Sequence, residues 1–340
     1  MKARIQLSAL LLAGAVMGLM SRTAVGQAPE AAMGSADQSA EGRVEARLVD
    51  EPSRRVVKMS NGFTIILQQN KTAPVVAARI YIRAGALTEQ QHMAAGISHV
   101  VEHLVAGASS GKRKESENTL LLQQIGNDSN AYTEADSTVY FITTTADKWA
   151  TAMDLLVDFT TNSDFTREQF DREFKVVQRE IEMDEEETDR IFYQQTQENR
   201  YIQSPARHPV VGYKTAFQKI TFEDCKAYFQ EMYVPDNMVI SVAGDLDLAS
   251  AEKQIVEMLK DVKRKRVPAI ALPSEPAVVA TRYSAMHDEK GVIKQARINW
   301  AFPTVSLYDP DLYAADMLAS VLGGSESSVL VRKLRDELGL

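Results

Sequence analysis

Residues 96–104 place the strongest constraint on what this chain can fold into. They contain two histidines four positions apart, His99 and His103, and Glu102 directly precedes the second histidine. In an α-helix, positions i, i+3 and i+4 lie on one face, so a helix here would direct both imidazoles and the carboxylate towards one place. The flanking residues are apolar, and polar side chains buried among them need partners. The stretch therefore predicts a helix that carries a polar site.

The spacing H-x-x-E-H is typical of a zinc site, because it is the inverted form of the H-E-x-x-H zinc-peptidase motif. Zinc binds neutral imidazole nitrogens, and a catalytic zinc keeps one position open for water. A carboxylate beside that water can act as a general base. We therefore predict His99 and His103 as metal ligands and Glu102 as the base. The alternative is a helix whose histidines are surface or capping residues.

A third protein ligand is usual in a catalytic zinc site, and the residues alone leave its identity open. Residues 166–195 predict one long, charged helix with several acidic candidates. The candidates are Glu168, Glu173, Glu180, Glu182 and the run 184–187. Glu173 and Glu180 are seven apart and share a helix face, whereas we expect the run 185–187 to be solvated. Periodicity does not choose among the others.

The first 43 residues predict segments that precede the folded domain. Residues 1–26 have the basic start, the uncharged apolar run and the small-residue cleavage site of a signal peptide, and the alternative is an uncleaved anchor helix. Residues 27–43 are polar, lack aromatic side chains and predict a flexible leader. We expect an exported protein without a stable membrane anchor after cleavage, periplasmic if the source is a Gram-negative bacterium and otherwise secreted.

Length and composition predict two globular domains. The chain has 340 residues, of which 45% are hydrophobic and 25% charged, and its net charge of −8 argues against a nucleic-acid partner. Asn61-Gly62 predicts a hairpin near the start of a first domain at 44–262. The proline-punctuated stretch 263–283 predicts a linker, and 284–340 the start of a second domain. Further strands are predicted at 74–83, 138–144 and 238–244, and helices at 146–159, 222–232 and 248–259.

The predicted second domain repeats the order of the first. A strand-like segment at 296–302 is followed by a helical segment at 312–322, as 77–83 is followed by the His99 helix. The later helix has no histidine pair, so we expect only the first copy to hold metal. The segment after the linker is short for a domain, which predicts that the second domain is incomplete.

These features together resemble the pitrilysin/insulinase family of zinc peptidases, the inverzincins, which includes the mitochondrial processing peptidases. The signature is His99-x-x-Glu102-His103 followed, 77 residues after His103, by Glu180. The resemblance covers about residues 50–340. Further segments that match are 61–62, 96–98, 130–133, 208–212, 233–238, 244–245, 322–324 and 334–340.

The resemblance implies a role for each residue of the site. His99, His103 and Glu180 would bind one zinc ion per chain, and Glu102 would be the general base. Glu173 would be a second catalytic acid that supports the site by orienting its ligands. The implied fold class is α+β, with tandem homologous domains that each pack helices against a sheet.

The resemblance also implies a substrate-binding strand. Asn130 and Ala131 would bind substrate on an edge strand that pairs with an extended peptide. Two departures from the family pattern occur: Asp128-Ser129 replaces the usual Gly-Gly, and the chain does not reach the substrate-gripping Arg and Tyr of the second half.

The implied function is that of a zinc-dependent metalloendopeptidase, a hydrolase acting on peptides or unfolded polypeptide segments. The alternative is a non-catalytic or partner-dependent binding or assembly subunit of a peptidase complex. In either case the implied partner is a second family subunit, in a homo- or hetero-oligomer.

Overall fold

The computed structural model describes residues 42–125, 128–287 and 296–339. This part of the chain divides into two compact units, residues 42–276 and the residues from 277 onwards. The predicted signal peptide at 1–26 and all but the end of the predicted leader at 27–43 lie outside the described residues. Among the helices that are described, none is long and apolar enough to cross a membrane.

Seven strands described in the first unit form one mixed sheet with the order β1-β2-β3-β7-β4-β6-β5. The strands are β1 (Val44–Asp50), β2 (Arg54–Met59), β3 (Thr64–Gln69), β4 (Val75–Ile82), β5 (Asp128–Thr133), β6 (Thr138–Thr145) and β7 (Met238–Gly244). Strands β3 and β7 are parallel, and the other neighbours are antiparallel. Strands β1 and β5 therefore form the two edges of the sheet.

The strands follow from local sequence signals. The chain reverses between β2 and β3 at Asn61-Gly62, where Gly62 has a φ of +113° that favours glycine. Side chains alternate along β4 between buried and half-buried positions, as the two-residue period of a strand requires. The buried set faces the core and comprises Val76, Ala78, Ile80 and Ile82. The predicted hairpin is confirmed.

Helices cover the core face of this sheet. The helices described in the first unit are α1 (Ile97–Val105), α2 (Glu115–Ile125), α3 (Trp149–Asn162), α4 (Arg167–Glu186), α5 (Thr188–Arg200), α6 (Lys214–Phe217), α7 (Phe222–Met232) and α8 (Leu248–Leu259). Helices α3 and α8 pack on the central strands, while α1 lies against β5 and contacts α4 and α7. Sheet and helices share one hydrophobic core, which confirms the predicted α+β class.

The predicted single helix over 166–195 is wrong, because the chain leaves the helical conformation at Glu187. Its φ of −84° and ψ of 115° end α4, and the same residue is the N-cap of α5. Acidic residues are unfavourable at the negative C-terminal end of a helix and favourable at the N-terminal end of the next one. The run 184–187 therefore favours two helices over one.

Two segments near the predicted domain boundary differ from their predictions, the first part of the predicted linker at 263–283 and the predicted strand at 296–302. Residues 263–276 belong to the first unit, and Val267 and Ile270 contact its hydrophobic core. Residues 296–302, predicted as a strand, do not form one, because no strand is described in their unit to pair with them. That unit contains α9 (Leu312–Gly323), α10 (Val329–Val331) and a π-helical stretch, Arg332–Glu337. The domain boundaries at 44–262, 263–283 and 284–340 stay predictions.

A close crossing of two backbone segments fixes the start of α1. Gly96 precedes the helix with a φ of +75°, and a Cβ atom there would collide with the carbonyl oxygen of Val211. A Cβ atom at Gly212 would collide in turn with the backbone of Ala95. The amide of Tyr213 donates to the carbonyl oxygen of Ala94 at 2.9 Å and ties the two segments together. The segment 208–212 thus positions the histidine helix.

We expect Gly96→Ala to destabilise the protein strongly. The left-handed conformation costs a non-glycine residue about 1–2 kcal/mol, and overpacking against Val211 adds about 1–3 kcal/mol. Gly107→Ala is the matched control, since Gly107 has the same φ of +75° but open space around it. Chemical denaturation of both variants would measure the difference, and equal losses of unfolding free energy would contradict the role given to the crossing.

Candidate metal centre

Helix α1 carries polar side chains on an otherwise apolar helix. Its apolar residues are buried in the core; they are Ile97, Val100, Val101, Leu104 and Val105. His99 and His103 face the opposite way, towards α4, and are only partly exposed. The apolar spacing therefore fixes the rotation of the helix, and the rotation in turn sets where both imidazoles point.

Three potential ligand atoms meet between α1 and α4. The Nε2 atoms of His99 and His103 are 3.3 Å apart, and each lies 3.5 Å from Oε2 of Glu180. Zinc–ligand bonds of about 2.1 Å place the ligand atoms of a tetrahedral site about 3.4 Å apart. The three side chains therefore fit a zinc ion, and the structure brings together the three residues predicted as ligands.

The protonation state of His99 suits metal binding. Burial, with a smaller contribution from the charge of His103, lowers the pKa of His99 to about 3. The imidazole is therefore neutral near pH 7, and a neutral imidazole is the form that binds zinc.

Glu173 contacts the other nitrogen of His103. Its Oε2 atom lies 3.6 Å from Nδ1 of His103, while Arg172 donates to its Oε1 atom at 2.9 Å. A carboxylate at Nδ1 favours the tautomer that leaves Nε2 free to bind metal. Glu173 therefore lies where an orienting acid would act, behind a predicted ligand.

Helix α4 presents both glutamates to α1 because the neighbouring face of α4 is anchored in the core. Phe170, Val177 and Ile181 are buried, and Thr166 caps the helix by accepting a hydrogen bond from the amide of Gln169. Phe174 stacks on Phe217 with ring centroids 4.2 Å apart. These contacts hold α4 against its neighbours, so its acidic residues face α1.

Glu102 is buried beside the ligand cluster and bound by a threonine of β5. The hydroxyl of Thr133 donates to Oε2 of Glu102 at 2.6 Å. Thr133 also lies 3.3 Å from the hydroxyl of Thr138, which donates to the carbonyl oxygen of Ala84 at 2.8 Å. Burial raises the pKa of the Glu102 carboxyl, whereas the Thr133 hydrogen bond and the charge of His103 act to lower it.

The two residues predicted to bind substrate lie on edge strand β5 but face opposite sides. Ala131 pairs with Tyr140 and packs against the core, on the side of α1. Asn130 pairs with Phe141 and is exposed on the other side of the sheet. The backbone of Asn130 therefore lies on the same strand edge as Ala131, whereas the side chain of Asn130 points away from α1.

Sequence reasoning did not assign a role to Thr133. The signal was available, because residues i and i+2 of a strand face the same side and Ala131 was already placed beside the site. The partner of Thr133 could not be deduced, since Glu102 lies 31 residues earlier in the chain and the approach of α1 to β5 is a long-range contact.

Comparison with known proteins gives the chain a family. The model described as "Insulinase (Peptidase family M16)" matches residues 64–213, and "Peptidase M16 inactive domain" matches residues 219–340. The chain belongs to peptidase family M16. The first match contains every residue predicted for the site, and the predicted family is confirmed.

Relatives within the M16 family carry peptidase names. An uncharacterized zinc protease of Rickettsia felis is 25% identical over 84% of this chain and 67% of its own length. An uncharacterized zinc protease of Bacillus subtilis is 28% identical over 82% of this chain and 66% of its own length. A probable mitochondrial-processing peptidase subunit beta of Arabidopsis thaliana is 25% identical, over 83% and 52%. The chain therefore spans 52–67% of the length of these relatives.

Solved structures share the fold. A protease from Helicobacter pylori has a TM-score of 0.72 at 22% identity, over 85% of this chain and 69% of its own. A putative M16-like peptidase from Alicyclobacillus acidocaldarius has a TM-score of 0.59 at 26% identity, over 67% and 55%. At 22% identity, the likeness to the Helicobacter pylori protease shows a shared fold and nothing further.

We expect the apo protein to bind zinc through the three clustered side chains, and Glu180→Gln to weaken that binding. The loss of one charged ligand should raise the Kd more than about tenfold, or about 1.4 kcal/mol. Glu185→Gln is the matched control, because Glu185 is exposed on the same helix. Titration against a chromophoric chelator measures the Kd. Wild-type affinity in Glu180→Gln would remove Glu180 as the third ligand.

Proposed function

We propose that this protein is a zinc-dependent metalloendopeptidase that hydrolyses peptides or unfolded polypeptide segments. The observation that carries the proposal is the tetrahedral spacing of the His99, His103 and Glu180 ligand atoms next to a buried carboxylate, Glu102. The names of the M16 relatives support it.

One zinc ion per chain would be held by His99, His103 and Glu180, with Glu173 orienting His103. Bound zinc supplies Lewis-acid chemistry, polarising the scissile carbonyl and lowering the pKa of a water molecule. The neutral state of His99 and the Glu173 carboxylate 3.6 Å from Nδ1 of His103 both favour the ligand form of the imidazoles.

Glu102 performs the proton transfer in this mechanism. Thr133 occupies Oε2, which leaves Oε1 of Glu102 to accept a proton from water. The water oxygen bonds to the carbonyl carbon, the carbon–nitrogen bond breaks, and Glu102 delivers the proton to the leaving amine. Burial raises the pKa of Glu102, which strengthens it as a base relative to an exposed glutamate.

An extended peptide would bind along β5. This strand forms an edge of the described sheet, so one row of its backbone amides and carbonyls faces away from β6. A peptide added to that edge gains main-chain hydrogen bonds, and its side chains alternate between the two faces of the sheet. Those on the side of Ala131 and Thr133 would lie towards α1 and the ligand cluster.

A partner-dependent subunit is the second candidate function. A relative named as a mitochondrial-processing peptidase subunit beta supports it, and the chain spans only 52% of that relative's length. The partner would be a second family subunit, and the assembly a homo- or hetero-oligomer. Export through a signal peptide at residues 1–26 is part of the proposal in either case.

We expect Glu102→Gln to bind zinc with wild-type affinity and to lose hydrolysis by about 10²–10⁴-fold, since the amide cannot accept the proton. Zinc content and cleavage of a quenched fluorescent peptide measure the two properties. Glu185→Gln should keep both. Normal hydrolysis by Glu102→Gln would overturn the mechanism, whereas zinc binding without hydrolysis in the wild type would favour the partner-dependent subunit.

We expect Thr133→Val to retain zinc and to lower kcat by about tenfold, because one hydrogen bond to a charged group contributes about 1.5–3 kcal/mol and part of it persists through water. Thr133→Ser should restore the rate by returning the hydroxyl. Thr143→Val, on the other face of the neighbouring strand β6, is the matched control. An unchanged kcat in Thr133→Val would show that Thr133 does not hold the base.

A further inference from the structure

A second buried glutamate lies outside the ligand cluster and bonds to the start of the histidine helix. Glu89 is only 1% exposed and lies before α1, between two short 3₁₀-helices, Ala86–Thr88 and Gln90–His92. Its Oε2 atom accepts a hydrogen bond from the amide of Gly96 at 3.1 Å. Its Oε1 atom accepts from the amide of Ser98 at 3.1 Å and from the Ser98 hydroxyl at 2.7 Å.

These bonds replace the N-cap that α1 lacks. The first amides of a helix have no partner within the helix, and an N-cap side chain normally accepts from them. Gly96 holds the N-cap position and has no side chain to do so. Burial raises the pKa of Glu89 to about 7, and its ionised form interacts favourably with the helix dipole at this end and makes charge-assisted hydrogen bonds.

The loop between Glu89 and the helix is held in a costly conformation. Gln90 and Ala94 have φ values of 48° and 64°, in the left-handed region that non-glycine residues avoid. Such conformations persist where the surroundings enforce them, and they cluster at functional sites. Glu89 at one end of this loop and the Gly96 crossing at the other end enforce it here.

The bonded residues adjoin the first predicted metal ligand. Ser98 directly precedes His99, and α1 has only 9 residues, so its first turn carries His99 and its last turn His103. A shift of the first turn would move His99 Nε2 from its 3.3 Å distance to His103 Nε2 and its 3.5 Å distance to Glu180. The ligand spacing therefore depends on what holds that turn.

We propose that Glu89 is a positioning residue for the metal centre, which fixes the first turn of α1 so that His99 meets His103 and Glu180. The inference rests on the proposed function, because it assumes that these three side chains bind zinc. Glu89 touches neither the ligand atoms nor substrate, and it acts through Gly96 and Ser98.

The test compares Glu89→Gln with Glu252→Gln, a matched variant of another buried glutamate. Glu252 lies on α8, is 5% exposed, and accepts hydrogen bonds from Arg47 at 2.6 Å and Arg55 at 2.8 Å. Zinc Kd by chelator competition, the visible spectrum of the Co²⁺-loaded protein, and the unfolding midpoint of the apo protein would be measured for both variants and the wild type.

We expect Glu89→Gln to raise the zinc Kd by about 10–100-fold, the range typical when an outer partner of a metal site is lost, and to change the Co²⁺ spectrum. Glu252→Gln should lower the unfolding midpoint and leave the Kd and the spectrum unchanged. Ser98→Ala, which removes one of the three donors, should raise the Kd less than Glu89→Gln does.

The other results overturn either the positioning role of Glu89 or the proposed function. A wild-type Kd and spectrum in Glu89→Gln would overturn the positioning role while the zinc site stands. Equal losses of affinity in Glu89→Gln and Glu252→Gln would also overturn it, because the effect would then be general destabilisation. A wild-type protein that binds no zinc would overturn the proposed function and, with it, this inference.

Discussion

The burial of ionisable side chains on α1 is the constraint on which the rest of the first unit depends. An unpaired charge in an apolar interior costs several kcal/mol. His99 avoids the cost by staying neutral, and Glu102 reduces it through the Thr133 hydrogen bond. The residues that contact these side chains must therefore supply hydrogen bonds or complementary charge as well as a complementary shape, and they come from β5 and α4.

The order of the strands in the sheet determines which residue can provide the hydrogen bond that Glu102 needs. Thr133 reaches Glu102 only because β5 is the edge strand paired with β6, which places Thr133 opposite Thr138 and next to α1. The start of the helix is fixed separately, by the crossing of Gly96 with residues 211–212. Two segments that are 78 residues apart, Thr133 on β5 and the crossing at 211–212, thus hold one short helix, and displacement of either one would disturb the ligand spacing.

The features that could be predicted from the sequence are those that lie within a single helix or hairpin. Two histidines and a glutamate on one helix share a face whatever the tertiary structure, and the Asn61-Gly62 hairpin is equally local. The break at Glu187 was missed because no Gly or Pro marks it, although the helix dipoles favour it. The strand at 296–302 was wrong because a strand exists only with a partner, and the partner is not a property of the segment.

The two glutamates of α4 show why helical periodicity alone did not identify the third ligand, which the family resemblance named as Glu180. Glu173 and Glu180 share a face but lie about 10.5 Å apart along the helix axis, so both cannot reach one ion from a helix that crosses α1. Their spacing matches instead the two sides of one imidazole: Glu180 meets His103 at Nε2 and Glu173 meets it at Nδ1. A seven-residue interval on one rigid helix can therefore supply both a ligand and the acid that orients another ligand. Which glutamate takes which role depends on the crossing of α1 and α4, and that crossing is set by the buried side chains of both helices rather than by the acidic residues themselves.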